Sequence, residues 1–138
     1  MAVDIKVRGY HLDIYQHVNN ARYLEFLEEA RWEFVEQHNL LELFASQNLA
    51  FIVVNINISY LRPALAGETL RVLSAIDTLG NKSGAVKQKV VLLKDGKEAD
   101  TIAEAKVTFC LVDLKTQQTV PISGNVRASL ENMIEEEL

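Results

Sequence analysis

One segment of this chain constrains its fold more than any other. Between residues 21 and 37 (ARYLEFLEEARWEFVEQ) apolar side chains recur at three- and four-residue spacings, at Tyr23, Phe26, Leu27, Ala30, Phe34 and Val35, and no Pro or Gly breaks the run. That spacing gathers them on one side of an amphipathic helix about five turns long. Asn19 and Asn20 stand where an N-cap belongs. Trp32 falls among Glu25, Glu28, Glu29 and Glu36 on the charged side, and reads either as an interface residue or as a half-exposed one.

The rest of the chain reads mostly as strand. Residues 3 to 9 (VDIKVRG) alternate apolar and polar, the period of a half-buried strand. After a short helix or irregular linker at 40–48, Ala50 to Leu61 forms a long strand that ends before Pro63. Its alternation places Ile52, Val54, Ile56, Ile58 and Tyr60 on one face, with Asn55 and Asn57 pointing away. Further strands are expected near 68–79, 83–94 and 99–114. Gly80-Asn81 and Lys94-Asp95-Gly96-Lys97 are hairpin signals, so these strands should be antiparallel neighbours. In the last one Ala103, Ala105, Val107, Phe109 and Leu111 share a face, and its small residues leave room for a helix to lie close. Beyond Pro121, Val126, Leu130, Met133 and Ile134 suggest a C-terminal helix that frays in Glu135-Glu136-Glu137, where acidic groups oppose the dipole. The order of strand, long helix and four strands describes an α+β protein in which one antiparallel sheet holds a helix against its inner face. At 138 residues a single domain, 1–138, with one core is expected.

Composition narrows the function. The net charge is −5 and no Lys/Arg cluster is present, which argues against nucleic acid as a partner. The longest apolar runs, such as Leu49 to Val54, fall well short of the roughly 18 residues of a membrane helix. The N-terminus lacks a charged region followed by an apolar one, so neither export nor membrane insertion is expected and a cytoplasmic address fits. Cys110 is alone, which rules out an intrachain disulfide and suits a packed thiol. His11, Asp13 and His17 have no fourth anchor, and no metal is expected there. Ser83, in Lys-Ser-Gly, lies in no nucleophile elbow.

The chemistry concentrates between the first strand and the helix, in Asp13-Ile14-Tyr15-Gln16-His17-Val18-Asn19-Asn20-Ala21-Arg22-Tyr23. An Asp before a helix also serves as a turn former or cap. The whole segment, however, resembles the signature of the 4-hydroxybenzoyl-CoA thioesterase family of hotdog proteins. Val7 to Trp32, Val53 to Pro63, Lys82-Ser83-Gly84 and Asp113 to Gln117 are similar to its bacterial long-chain acyl-CoA branch. The resemblance implies a hotdog fold, an antiparallel five-stranded sheet wrapped around a long central helix. It also implies that Asp13 attacks the thioester carbonyl or activates a water to do so, and that the backbone N–H of Asn20 polarises the thioester oxygen. Unpaired N–H groups at a helix N-terminus suit that second task on physical grounds alone. His17 either orients the loop or assists proton transfer. Two departures stand out: family members often carry glycine where Gln16 stands, and Tyr or His where Asn20 stands.

The expected activity is hydrolysis of acyl-CoA, with a long fatty acyl chain, to free acid and coenzyme A, and it needs no cofactor. Tyr23, Phe26 and Leu27 of the helix, with Phe51 and Val53 of the next strand, are the candidate acyl-binding residues. Arg62, Lys82 and Ser83, with Arg22, are the candidates for coenzyme A, because an acidic protein must hold a polyanion with a few local cations. The alternatives are a non-catalytic acyl-CoA-binding hotdog module and a hotdog enoyl-CoA hydratase or dehydratase, although the chain lacks the Asp-x-x-Pro-x-His wording of the latter. A homodimer or homotetramer is expected, since Ala50 to Leu61 would otherwise be an unprotected apolar sheet edge.

Overall fold

The computed structural model describes residues 1–134, so the expected fraying at Glu135, Glu136 and Glu137 lies outside the described residues. The first strand, β1 (Ala2–Lys6), is shorter than its alternation suggests, because Gly9–His11 turns into a single 3₁₀ helix. The long helix α1 (Asn20–Gln37) begins at Asn20, with the Asn19 side chain accepting the Ala21 N–H at 2.9 Å. A short α2 (Leu40–Ser46) fills the expected linker. Four long strands follow: β2 (Leu49–Tyr60), β3 (Thr69–Leu79), β4 (Ser83–Lys94) and β5 (Lys97–Asp113). A two-residue β6 (Thr119–Val120) and α3 (Gly124–Glu131) complete the described chain, and no helix in it is long and apolar enough to cross a membrane.

All neighbouring strands are antiparallel, in the order β1-β3-β4-β5-β2. Both hairpins form where the turn residues placed them. At the second, Asp95 and Gly96 have φ of 53° and 75°, the left-handed pair that a tight two-residue hairpin requires. The small strand β6, which the sequence pattern did not reveal, pairs with Leu111 and Val112 of β5 beyond the point where β4 begins.

Register shifts at Val54, at Asp77 and near Val91 bend the strands and curl the sheet around α1, the hotdog arrangement. The shift at Val54 corrects one expectation. Strict alternation put Ile52 and Val54 on the inner face with Ile56 and Ile58, but both are exposed, Val54 by 55%. The extra residue reverses the parity of the strand. Phe51 and Val53 face the core before the bulge, and Ile56 and Ile58 face it afterwards.

The apolar stripe of α1 lies within the curl. Tyr23, Phe26, Leu27 and Ala30 pack with Val72, Val90 and Ala103, while Phe34 packs with Val86, Val107, Phe109 and with Leu40, Val126 and Leu130 of the flanking helices. Each large side chain buried this way contributes about 1.5–3 kcal/mol relative to exposure. One polar side chain is built into this interior. Gln88 of β4, 1% exposed, donates from Nε2 to the Leu27 carbonyl at 3.0 Å and to Ser74 Oγ at 2.9 Å, and its Oε1 accepts from Arg31 at 3.1 Å.

Close packing also explains Gly84. It pairs with Phe109 across β4 and β5, and the Phe109 ring folds over it before stacking on Phe51 at 4.3 Å. A Cβ there would stand 2.6 Å from Phe109 Cζ and 2.9 Å from Leu79 Cδ2. Gly84→Ala should therefore lower stability by about 1–3 kcal/mol through overpacking, read as a lower urea midpoint at unchanged m. An unchanged midpoint would show that Phe109 moves aside without cost.

Candidate active site

The loop ahead of α1 is held at both ends. Leu12 and Val18 form an antiparallel bridge, the Val18 N–H bonds to the Ala64 carbonyl at 2.9 Å, and the Asn19 N–H bonds to the His11 carbonyl at 2.8 Å. Between them the chain turns on Asp13, whose N–H donates to His17 O at 2.8 Å and whose carbonyl accepts from Gln16 N–H at 3.1 Å. Gln16 adopts φ 64°, a left-handed conformation that suits glycine. This accounts for the glycine that family members carry there.

The same turn aims the carboxylate. Asp13 Oδ1 accepts from the backbone N–H of Tyr15 at 2.8 Å and of His17 at 3.3 Å. Oδ2 takes no hydrogen bond among the described residues, so it keeps its lone pairs for a ligand. The orientation comes from the main chain of His17, while its imidazole is exposed.

Asp13, His17, Asn20, Tyr23 and Arg62 line one open cavity of about 220 Å³, together with Tyr60. The cavity lies at the N-terminus of α1, where the dipole favours negative charge. Asn20 is the first helical residue, and its N–H has no acceptor among the described residues. Tyr60 Oη donates to the Asn20 carbonyl at 3.1 Å, which ties the end of β2 to that first turn. Tyr23 is 3% exposed and its hydroxyl has no hydrogen-bond partner among the described residues. Burial pushes that phenol up to about 12, against a partial opposing effect of the Ala64 backbone, so near neutrality it remains a donor. Arg62 makes a long 3.7 Å ion pair with Asp100 and stays largely exposed.

The other candidate residues lie elsewhere. Phe26 and Leu27 are sealed in the core and do not reach the cavity. Phe51 and Val53 border a separate apolar groove between α1, α2 and β2. Lys82 and Ser83 sit at the β3–β4 turn. Ser83 pairs with Cys110 of β5, whereas the cavity end of that strand is at Ala103, roughly 23 Å away along the strand.

Two supports were missed by sequence reasoning. Tyr60 was placed only as an inward strand residue. His11 was considered only as a metal ligand, but it is 7% exposed under the loop, with Nδ1 accepting the Arg8 N–H at 2.8 Å and its ring edge-on to Phe26. Burial first, and then Arg22, lower its pKa, so the neutral form with the proton on Nε2 is favoured. No local pattern marks His11 as inward-facing, because its contact with Phe26 is made across two separate elements. Among the described residues no group of His, Cys, Asp and Glu is arranged to hold a metal ion.

Comparison with known proteins agrees with this geometry. A model of the thioesterase-like superfamily matches residues 7–130. The chain is 48% identical over 134 residues to the long-chain acyl-CoA thioesterase FadM of Escherichia coli (strain K12), covering 97% of this chain and 99% of that protein. It is 26% identical over 118 residues to the acyl-CoA thioesterase YbgC of Haemophilus influenzae, covering 84% and 83% of the two chains. Among solved structures, the probable thioesterase YbaW from Escherichia coli superposes with a TM-score of 0.88 at 48% identity, over 98% of this chain and 99% of that one. With these matches spanning nearly its whole length, the chain belongs to the thioesterase-like superfamily.

Proposed function

We propose that this protein is an acyl-CoA thioesterase that hydrolyses long-chain fatty acyl-CoA to the free acid and coenzyme A. The observation that carries the reading is the pairing, in one cavity, of a main-chain-oriented Asp13 carboxylate with the unpartnered Asn20 N–H at a helix N-terminus. The long-chain assignment draws support from the identity to the Escherichia coli relative. Without Asp13 the same cavity would suit a binding module; with it, hydrolysis is the better reading.

In the reaction the thioester oxygen accepts the Asn20 N–H, which is most effective as negative charge develops on it. Asp13 either takes a proton from the attacking water or attacks the carbonyl itself. By both routes the C–S bond breaks, the thiolate leaves and is protonated, and one water is consumed per acid released. Tyr23 contributes to the lining of the cavity with its hydroxyl buried, and exposed Arg62 is placed to meet a coenzyme A phosphate. We assign Lys82 and Ser83 to the same phosphates only within an oligomer. The exposed edge of β2 pairs antiparallel with its twin in the dimer we infer, which sets the Leu49–Val53 end of one copy beside the Tyr60–Arg62 end of the other. That arrangement brings the Phe51 and Val53 groove within reach of the acyl chain. One catalytic domain and a cytoplasmic role in fatty-acid metabolism complete the reading.

Asp13→Asn should fold normally, because the amide oxygen still accepts from Tyr15 and His17, yet kcat should fall by roughly 10²- to 10⁴-fold. A folded variant keeping most of its kcat would remove Asp13 from the mechanism. The Asn20 donor is tested by comparing proline with alanine. Proline suits the first helical position, and Asn19, at φ −61° and ψ 135°, already has the extended backbone that a residue before proline needs. Asn20→Pro should therefore lose on the order of 10²- to 10³-fold in kcat while Asn20→Ala changes little, and equal activities would reject the assignment. Chain length is tested by kcat/KM over acyl-CoAs below their critical micelle concentrations. Transfer energetics allow up to roughly a fourfold gain per added methylene, so the series should climb steeply and then level off. A flat series, or a benzoyl-type substrate ahead of every fatty one, would overturn the long-chain reading and leave the thioesterase standing.

A further inference from the structure

Of the three histidines in the chain, His17 and His38 are exposed and His11 is buried. A buried imidazole is held in place by its hydrogen bonds, and those of His11 close on a single residue. Its backbone N–H donates to the Arg8 carbonyl at 3.0 Å, and its Nδ1 accepts the Arg8 N–H at 2.8 Å. This reciprocal clamp fixes the 3₁₀ turn Gly9–His11 just beyond β1. Two rings hold the imidazole edge-on, Tyr10 at 4.2 Å and Phe26 of α1 at 5.0 Å.

The main chain of the same residue reaches the far end of the loop. The His11 carbonyl accepts the Asn19 N–H at 2.8 Å, and Asn19 is the N-cap of α1. The next N–H along the chain is that of Asn20, which lines the cavity. In the other direction Leu12 enters the bridge to Val18, and Asp13 follows it. His11 therefore stands where the clamped turn meets both parts of the site. A shift of this turn moves the start of the Asp13 loop and the N-cap together.

We propose that His11 is a positioning residue whose neutral Nδ1, by accepting the Arg8 N–H, locks the turn that sets Asp13 and the Asn20 N–H, and that a proton on Nδ1 releases this lock. An imidazolium carries N–H on both nitrogens, so Nδ1 would then turn a donor toward the Arg8 donor. The surroundings favour the neutral form. Burial first, then Arg22 of α1, lower the pKa, and Arg8 adds to this; Glu25 of α1 opposes, but it is paired with Arg22 at 2.8 Å. The unfolded chain therefore takes up this proton before the folded one does. The stability that the neutral ring contributes is complete above the ordinary imidazole value of about 6.5 and is lost as pH falls through the lower folded value. The consequence for turnover rests on the proposed thioesterase activity, whereas the lock itself needs no substrate.

Two substitutions separate the acceptor from the ring. His11→Asn offers an amide oxygen near the place of Nδ1 and cannot titrate, while His11→Phe keeps a ring beside Phe26 and has no acceptor. Well above the ordinary imidazole value, His11→Asn should retain most of the parental kcat. His11→Phe should lose roughly ten- to a hundredfold in kcat, with the KM for dodecanoyl-CoA little changed in either variant. Parental kcat should step down as pH falls below about 6.5, and the His11→Asn profile should stay level across that step. Substrate-free ¹H–¹⁵N spectra supply a readout without turnover. The Asn19 and Asn20 amide signals should move with the His11 imidazole titration in the parent and hold still over that range in His11→Asn. Should His11→Phe fail to fold by circular dichroism, the His11→Asn profile and the spectra decide. Amides that move with His11 in a protein that does not hydrolyse acyl-CoA would overturn the thioesterase reading alone. The proposal is overturned if His11→Phe keeps the parental kcat, or if His11→Asn is as impaired as His11→Phe. It is equally overturned if His11→Asn retains the parental acid step, or if the Asn19 and Asn20 amides do not respond as His11 titrates.

Discussion

The arrangement depends on fixing one helix inside a curled sheet. Apolar contacts supply most of the energy, but they are non-directional and tolerate sliding. Gln88 is directional. Its amide reaches a carbonyl of α1, a hydroxyl of β3 and a guanidinium of α1 at once, and thereby sets the depth and rotation of the helix against β4. A buried amide that lost one partner would leave a polar group unsatisfied at a cost of about 1–3 kcal/mol, so alternative seatings of α1 are penalised. Through this tether the middle of the helix governs what its first turn can reach.

The loop and cavity at the N-terminus of α1 are organised almost entirely by the main chain. Backbone N–H groups of Tyr15 and His17 orient the carboxylate, the Ala64 and His11 carbonyls hold the loop, and a backbone N–H faces the cavity from the helix. Such a site tolerates change in the side chains of Tyr15, Gln16, His17 and Asn20 better than it tolerates change in path. The segment is therefore legible as a pattern even where individual residues depart from the commoner wording.

What the sequence revealed and what it concealed follow from the range of the interactions involved. The Asn19 cap, the Asp95-Gly96 turn and the amphipathic stripe of α1 are local, and each announces itself within a few residues. The bulge at Val54 is not local. It is created by the pairing of β2 with β5, and a run of Ile and Val reads equally well in either parity, so Ile52 and Val54 were assigned to the wrong face. Gln88 lies in a Lys-Gln-Lys triplet that looks like solvent-facing polarity, and only the fold shows that its middle member points inward. Gathering Asp13 with Arg62 was within reach of the resemblance. Separating Phe26 and Leu27, which are core, from Phe51 and Val53, which border a groove, required the packing itself.

The left-handed Gln16 bears on the motions of the loop that carries Asp13. A glycine would relieve strain of about 1–3 kcal/mol at that residue, but it would also give the loop many more open conformations to visit. With glutamine, those competing conformations are fewer, and once the Leu12–Val18 bridge has closed the loop has little freedom to wander. The chain thus exchanges some enthalpic comfort for a narrower ensemble at the residue that positions Asp13. In a branch of the family with glycine there, the same closed loop would be reached from a broader distribution, with greater entropy to lose each time a thioester is engaged.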